Sequence, residues 1–247
     1  MTDANGTSAG GDDAPAYWVV IPAAGAGNRM GAAVPKQYLQ LAGRTVIEHT
    51  LALFSDHPLV AGIVVALAPH DEEWTRLAPS TACPLHTVTG GADRHHSVLN
   101  ALRRLSELGR PHDWVLVHDA ARPCLRRADL DRLIAMLQDH PVGGLLGVPV
   151  PDTLKRVDAR GDVVETLARD GVWRALTPQM FRLGALRTAL EAAVAGGRAV
   201  TDEAGAMEHA GHAVRMVEGH ADNIKITAPG DLALAEIFLR RQREEGE

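Results

Sequence analysis

The side chains best placed to do chemistry cluster early in the chain, in Val19-Val20-Ile21-Pro22-Ala23-Ala24-Gly25-Ala26-Gly27-Asn28-Arg29-Met30-Gly31 and, just beyond it, Pro35-Lys36-Gln37. An apolar run enters a loop of small residues, and an arginine and a lysine follow. Small residues let backbone N–H groups come close to a ligand, and successive N–H groups in such a turn form an anion-binding concavity. Two cations beside it suit a polyphosphate better than a single phosphate. A glycine-rich loop by itself reads equally well as a tight strand–helix turn with surface cations. Two common nucleotide patterns do not fit. The dinucleotide pattern G-x-G-x-x-G/A meets Met30 at its third position, and Glu48, the acid near the required spacing, lies within a helical stretch. The P-loop run G-x-x-x-x-G-K-[ST] does not occur.

The elements that must hold this loop follow from periodicity. Residues 17–21 form a continuous apolar run, as expected of a central parallel strand. Thr45 opens a helix whose apolar stripe is Val46, Ile47, Thr50, Leu51 and Phe54. Further strands are expected at 60–67, 85–88, 114–117 and 145–150, alternating with helices at 71–77, after 97 and at 128–138. Strand alternating with helix predicts an α/β fold, a doubly wound, mostly parallel Rossmann-like sheet. The pattern breaks at 151–173, where two short alternating segments joined by Asp158-Ala159-Arg160-Gly161 predict a protruding β-hairpin arm. An isolated hairpin is marginal in water, so a second subunit is its expected partner. Helices at 183–195 and 202–209, strands at 213–217 and 223–227, and a helix from 229 to about 241 complete the chain. Residues 1–16, rich in Gly, Asp, Ala, Ser and Thr, read as a disordered tail, and 17–247 as one domain.

Composition narrows the function. The 247 residues are 46% apolar but 4% aromatic, which favours helices on a sheet over a β-sandwich. A net charge of −6 leaves no basic face for nucleic acid, so an anionic ligand must be held by locally placed cations. Two cysteines make neither a disulfide framework nor a zinc site, and the expected location is the cytoplasm. His209 and His212 lie three apart without a third clustered ligand, and read as surface histidines. No run of about 18 apolar residues is present to span a membrane.

In an open α/β sheet ligands bind at the carboxyl ends of the strands. Those ends carry Arg29 and Lys36, then Gly90-Gly91 with Arg94 and Ser97, then Asp119 and Arg122, and finally Lys225. Taken singly, Asp119 reads as a helix cap and the others as surface or helix-start residues. Taken together, cations from separate segments around one carboxylate suit nucleotidyl transfer, in which charge grows on a five-coordinate phosphorus. Mg²⁺ usually takes one or two carboxylates plus phosphate oxygens, so Asp119 is the expected metal anchor. An acceptor that is itself a phosphate is already ionised at pH 7 and needs no general base.

The stretches PAAGAGNRMGAAVPKQYLQLAGRTVIEHTL (22–51), GGADRHHSV (90–98), VLVHDAARPCL (115–125), PDTLKRV (151–157), RDGVWRALTPQMFR (169–182), TDEA (201–204) and ADNIKIT (221–227) together resemble the 2-C-methyl-D-erythritol 4-phosphate cytidylyltransferase family of the non-mevalonate isoprenoid pathway. The resemblance implies a nucleotidyltransferase-type fold and transfer of the cytidylyl group of CTP to that polyol phosphate, with Mg²⁺ and release of pyrophosphate. It implies that Ala23, Ala24, Gly25 and Gly27 hold the triphosphate, that Gly91, Ala92 and Ser97 contact the cytosine and ribose, that Ala120 also binds CTP, and that Arg29, Lys36 and Lys225 stabilise the transition state. Asp119 would hold metal and substrate, and Arg122, Thr177, Thr201 and Lys225 would form the acceptor site. Thr153 and Arg169 would reach in from the arm of a second subunit, giving a functional homodimer. Ala92 departs from the family, whose members often carry a polar residue there, so a side-chain contact to the base is lost. A sister enzyme acting on ribitol 5-phosphate is the alternative; Pro22-Ala23-Ala24-Gly25 and Ala121-Arg122-Pro123-Cys124 favour methylerythritol phosphate. About twenty residues follow Thr227, too few for a fused cyclase of the same pathway.

Overall fold

In a computed structural model the described residues are 14–25 and 34–246. Gly27, Arg29 and positions 1–13 of the expected tail lie outside them. Residues 14–16, also expected to belong to the tail, are tied down: the Ala16 N–H donates to Asp113 Oδ1 at 3.0 Å, and the Ala14 carbonyl accepts from Arg110 Nη2 at 2.6 Å.

The elements run in the order β1 (Tyr17–Pro22), a 3₁₀ turn (Lys36–Tyr38), β2 (Gln40–Leu41), β3 (Arg44–Thr45), α1 (Val46–Ser55), β4 (Val60–Leu67), α2 (Glu72–Leu77), β5 (Leu85–Thr89), α3 (Arg94–Leu108) and β6 (Trp114–Val117). They continue with α4 (Arg127–Leu137), β7 (Gly143–Pro149), β8 (Leu154–Val157), β9 (Val163–Leu167), β10 (Trp173–Arg182), α5 (Leu183–Ala195), α6 (Glu203–His209), β11 (Arg215–Glu218) and α7 (Pro229–Glu245). A seven-stranded sheet has the order β11-β7-β10-β6-β1-β4-β5. Its pairings are parallel except those of β10, which runs antiparallel to both β6 and β7.

Alternation within the strands sorts the two faces. Val19 and Ile21 of β1 pack with Ile47, Leu51 and Phe54 of α1 and with Leu130, Leu133 and Leu137 of α4. Val20, between them, faces the other layer, with Val98, Leu102 and Leu105 of α3 and Leu186 and Leu190 of α5. Each strand of the middle is therefore buried on both sides, the reason its sequence is apolar without a break. A third, smaller cluster joins Ala235 and Leu239 of α7 to Ala121, Cys124 and Ile226, and so fixes the loops beside the sheet's carboxyl end. At the start of α1, Thr45 Oγ1 accepts the Glu48 N–H while Glu48 Oε2 accepts the Thr45 N–H, a reciprocal cap worth about 1 kcal/mol.

Two expectations are corrected. Residues 173–182 were not expected as an element, yet they form the longest strand of the sheet. Residues 223–227, expected as a short strand, belong to no sheet; this segment is tethered by the Ile226 N–H donating to the Ala121 carbonyl at 2.9 Å. The arm is present as a separate two-stranded ribbon, β8 against β9. Strand β7 begins at Gly143 rather than 145, because glycine is what fits there: a Cβ at Gly144 would lie 2.1 Å from the Arg215 carbonyl of the neighbouring β11.

Candidate functional site

A cavity of about 380 Å³ opens where β1, β5 and β6 end. Pro22, Ala23, Ala24 and Gly25 form one wall, with Lys36 and Gln37 beside them. Gly91, Ala92, Asp93, Arg94 and Ser97 form a second, and Asp119, Ala120, Ala121, Lys225 and Thr227 a third. Ala23, Ala24, Gly25, Lys36, Gly91, Ala92, Ser97, Asp119, Ala120 and Lys225, all expected from sequence at a binding site, therefore meet in one place.

The small residues are set by contacts. A Cβ at Gly90 would lie 2.4 Å from the Ala24 Cβ, and one at Gly91 2.3 Å from the His96 Cβ. Ser97 Oγ accepts the Gly91 N–H at 3.0 Å and donates to the Asp93 carbonyl at 3.2 Å, so its hydroxyl braces the turn that leads into α3. The Ala23 N–H is likewise used inside the fold, donating to the Ala66 carbonyl at 2.8 Å, and Gln37 Nε2 donates to the Ala23 carbonyl at 2.8 Å. That last bond fixes the 3₁₀ turn carrying Lys36 against the end of β1.

The electrostatic centre is Asp119. Its Oδ1 accepts from Arg94 Nε at 2.8 Å, and its Oδ2 lies 2.9 Å from Lys225 Nζ and 3.3 Å from Arg122 Nε. Burial alone would raise the Asp119 carboxyl, but the charges of Arg94, Lys225 and Arg122 outweigh it and hold the group far below the usual carboxylate range. Arg94 is in turn gripped by Glu203, to which the sequence alone assigned no role. A second buried relay sits behind. His118 Nε2 faces the Arg122 carbonyl at 2.9 Å, which can only accept, so Nε2 carries the proton and Nδ1 accepts the Thr177 hydroxyl at 3.0 Å. Thr177 Oγ1 then accepts the Asp119 N–H at 3.2 Å. Complete burial pushes the imidazole down to about 4, so His118 is neutral at pH 7.

The expected acceptor residues divide. Arg122 is bonded to Asp119 and to the Asn223 carbonyl (2.7 Å). Thr177 is buried, and its hydroxyl is used in the relay just described. Thr201 is exposed and does not line the cavity. Thr153 and Arg169 are exposed on the arm, where Arg169 Nη1 donates to the Pro151 carbonyl; neither lines the cavity of its own chain.

A metal ion on Asp119 does not fit these surroundings. Both carboxylate oxygens are taken by cations, and a divalent ion would have to enter among Arg94, Arg122 and Lys225. Among the described residues one triad, Asp93, His95 and His96, brings its potential ligand atoms within 4.8 Å of one another. It sits at the N-terminus of α3 beside Arg94, where the helix dipole and the guanidinium both oppose a cation.

The sequence profile of the 2-C-methyl-D-erythritol 4-phosphate cytidylyltransferase family matches residues 17–241. The 2-C-methyl-D-erythritol 4-phosphate cytidylyltransferase of Pseudomonas aeruginosa is 60% identical over 232 residues, 94% of this chain and 97% of the relative. That of Pseudomonas fluorescens is 57% identical over 222 residues, 90% of this chain and 94% of the relative. Among solved structures, the enzyme of that name from Francisella tularensis superposes with a TM-score of 0.79 at 38% identity, over 90% of this chain and 99% of the other. The Thermus thermophilus one gives 0.74 at 36%, over 91% and 99%.

Proposed function

Because the chain belongs to the 2-C-methyl-D-erythritol 4-phosphate cytidylyltransferase family, we propose that it transfers the cytidylyl group of CTP to 2-C-methyl-D-erythritol 4-phosphate. The observation that carries this reading is the meeting of Lys36, Arg94 and Lys225 with walls of alanine and glycine in one cavity. A phosphate oxygen of the acceptor attacks the α-phosphorus of CTP. The bond from that phosphorus to the bridging oxygen breaks, and pyrophosphate leaves. The acceptor oxygen is already ionised at pH 7. Fittingly, none of the described residues lining the cavity is a histidine, and Asp119 is fully engaged by cations, so neither supplies a base. The protein's contribution is alignment and charge: the ammonium groups of Lys36 and Lys225 stabilise the negative charge that develops on the α-phosphoryl oxygens. Arg29, outside the described residues, joins them in this reading. Gly91, Ala92 and Ala120 face the nucleoside, and Ala24 and Gly25 the triphosphate; Gly27, outside the described residues, is assigned to the triphosphate in the same reading. Mg²⁺ belongs to the substrate here, arriving on the triphosphate oxygens of CTP and not on Asp119.

The arm completes the site from a second copy of the chain. Val157, Val163 and Val164 are 53%, 61% and 62% exposed on a ribbon without a core of its own. In the homodimer they are covered, and Thr153 and Arg169 of one subunit reach the acceptor phosphate in the other, beside Arg122 and Thr201. Among the described residues no helix is long and apolar enough to cross a membrane.

Pyrophosphate release from the purified protein tests the reading, with CTP, UTP and ATP each offered against methylerythritol 4-phosphate and ribitol 5-phosphate. Turnover with CTP and methylerythritol 4-phosphate is expected. Turnover only with ribitol 5-phosphate overturns the choice of acceptor, and CTP binding without any product overturns catalysis.

A further inference from the structure

Glu203 does not line the cavity, yet its side chain is only 1% exposed and both of its oxygens are taken by one guanidinium. Arg94 Nη1 and Nη2 donate to Glu203 Oε1 and Oε2 at 2.6 and 3.1 Å, and Nε of the same side chain donates to Asp119 Oδ1 at 2.8 Å. Arg94 thus links two buried carboxylates 84 positions apart in the chain, at 119 and 203. A planar fork can hold one carboxylate with two parallel bonds while a third, separate nitrogen binds the other; the single nitrogen of a lysine offers no such fork. The consequence falls on the remaining cations. With Oδ1 committed to Arg94, Lys225 and Arg122 share Oδ2, and Lys225 lines the cavity at 36% exposure. If Oδ1 were released, the two oxygens of Asp119 would each take one cation, and Lys225 would be drawn away from its shared position.

We propose that Arg94 and Glu203 are positioning residues: Glu203 clamps Arg94, Arg94 commits one oxygen of Asp119, and Lys225 is thereby held where the α-phosphorus of CTP reacts. The inference rests on the cytidylyl-transfer reading. It differs from a direct contact of Arg94 with the triphosphate, because Glu203 is outside the cavity and can act only through Arg94.

The test is steady-state kinetics of two variants, Glu203→Gln and the paired Arg94→Met/Glu203→Met. Each is made in the wild-type and in the Lys225→Met background, with CTP binding and thermal unfolding measured on every protein. Replacing a buried ion pair by apolar residues of similar volume is often neutral for stability, so the paired variant keeps the test open should Glu203→Gln alone fail to fold. A displacement of about 1 Å at a reacting group costs on the order of 10²-fold in rate. The paired variant is expected to lose about 10²-fold in kcat with CTP affinity within about twofold of wild type. In the Lys225→Met background the same change should cost less than about threefold, since both act through one lysine. Glu203→Gln should show the same pattern at about 10-fold. Wild-type kcat in the paired variant overturns the inference. So does an equal loss in both backgrounds, or a loss of CTP affinity at unchanged kcat. A wild-type protein that turns over no CTP overturns the functional reading itself, and the inference with it.

Discussion

The cavity cluster and the hairpin arm use the same chemistry, arginine against carboxylate, to different ends. Around Asp119 the carboxylates are 9% and 1% exposed, and each charged group is bonded to at least one group from another segment of the chain, Arg122 through the Asn223 carbonyl. On the arm, Arg156 pairs with Glu165 across the ribbon at 62% and 49% exposure, and Arg160 pairs with Asp158 at 83% and 33%. A buried, mutually satisfied cluster fixes positions, because breaking one member strands a charge in a medium of low polarity. An exposed pair contributes about 0–1 kcal/mol and fixes little. The cavity therefore carries its order within the fold, whereas the arm is two short strands with bare valines, which is why the proposed homodimer gives it a surface to dock on.

The largest effect expected from this contrast is on the cavity side. Lys225→Met should lower kcat by about 10²- to 10³-fold with CTP binding changed by only a few fold, as for a group that acts in the transition state. Lys36→Ala should lose about 10²-fold. Unchanged turnover in either would remove that lysine from the reaction.

On the arm, Arg169→Ala should raise the KM for the acceptor by about 10-fold and leave that for CTP unaltered, since in the proposed homodimer the arm meets only the acceptor. Assayed with acceptor well below its KM, where Arg169→Ala alone keeps about a tenth of the rate, a random mixture of Arg169→Ala with Lys36→Ala subunits should show about a quarter of wild-type activity, because in the proposed homodimer half of the dimers are mixed and each holds one intact site. A mixture no more active than the mean of its two parents would mean that each site is built from a single chain.

Next in size is the acid sensitivity of the relay behind the cavity. His118 titrates at about 4 in the folded protein against 6.5 in an unfolded chain, so the neutral form is the one the fold accepts. The stability this represents is fully present above pH 6.5 and is lost as the pH falls toward about 4. At 1.36 kcal/mol per unit it amounts to about 3 kcal/mol. Chemical denaturation between pH 7 and 4 should show the loss, and His118→Gln should flatten it. An equal slope in that variant would assign the acid sensitivity to other groups.

The smallest effect belongs to the arm's surface. Arg156→Ala, which removes an exposed pair, should change unfolding free energy by less than about 0.5 kcal/mol. A cost of several kcal/mol would mean that the arm is braced by its own ion pairs and needs no partner.

What the sequence made legible follows the same division. Strands β1, β4 and β6 are continuous apolar runs, and a strand buried on both faces has no other way to be written. Strand β10 was hidden because Arg174, Pro178 and Gln179 interrupt its apolar pattern, and an internal proline argues against a strand. The chain accommodates it by a break in register against β7 between Ala175 and Gln179. Segment 223–227 erred the other way: Ile224 and Ile226 alternate like a strand, but they pack under α7 and pair with no ladder. In the site, Asp119, Arg122 and Lys225 were found because they follow strands or near-strands at one edge. Glu203 was not, because an acid just after Asp202 at a helix start looks like ordinary capping, and its partner Arg94 lies 109 residues away. Thr177 was expected to face substrate; only the structure shows its hydroxyl spent between Asp119 and His118.

The claim beneath all of this is that Asp119 organises cations and is not itself a metal ligand. A crystal structure with CTP and magnesium tests it most directly. The account predicts Lys36 and Lys225 within hydrogen-bonding distance of the α-phosphate oxygens, Asp119 still bonded to Arg94, and the magnesium ion held by triphosphate oxygens and water. A magnesium ion coordinated by Asp119, with Arg94 or Lys225 turned away from it, would contradict the account.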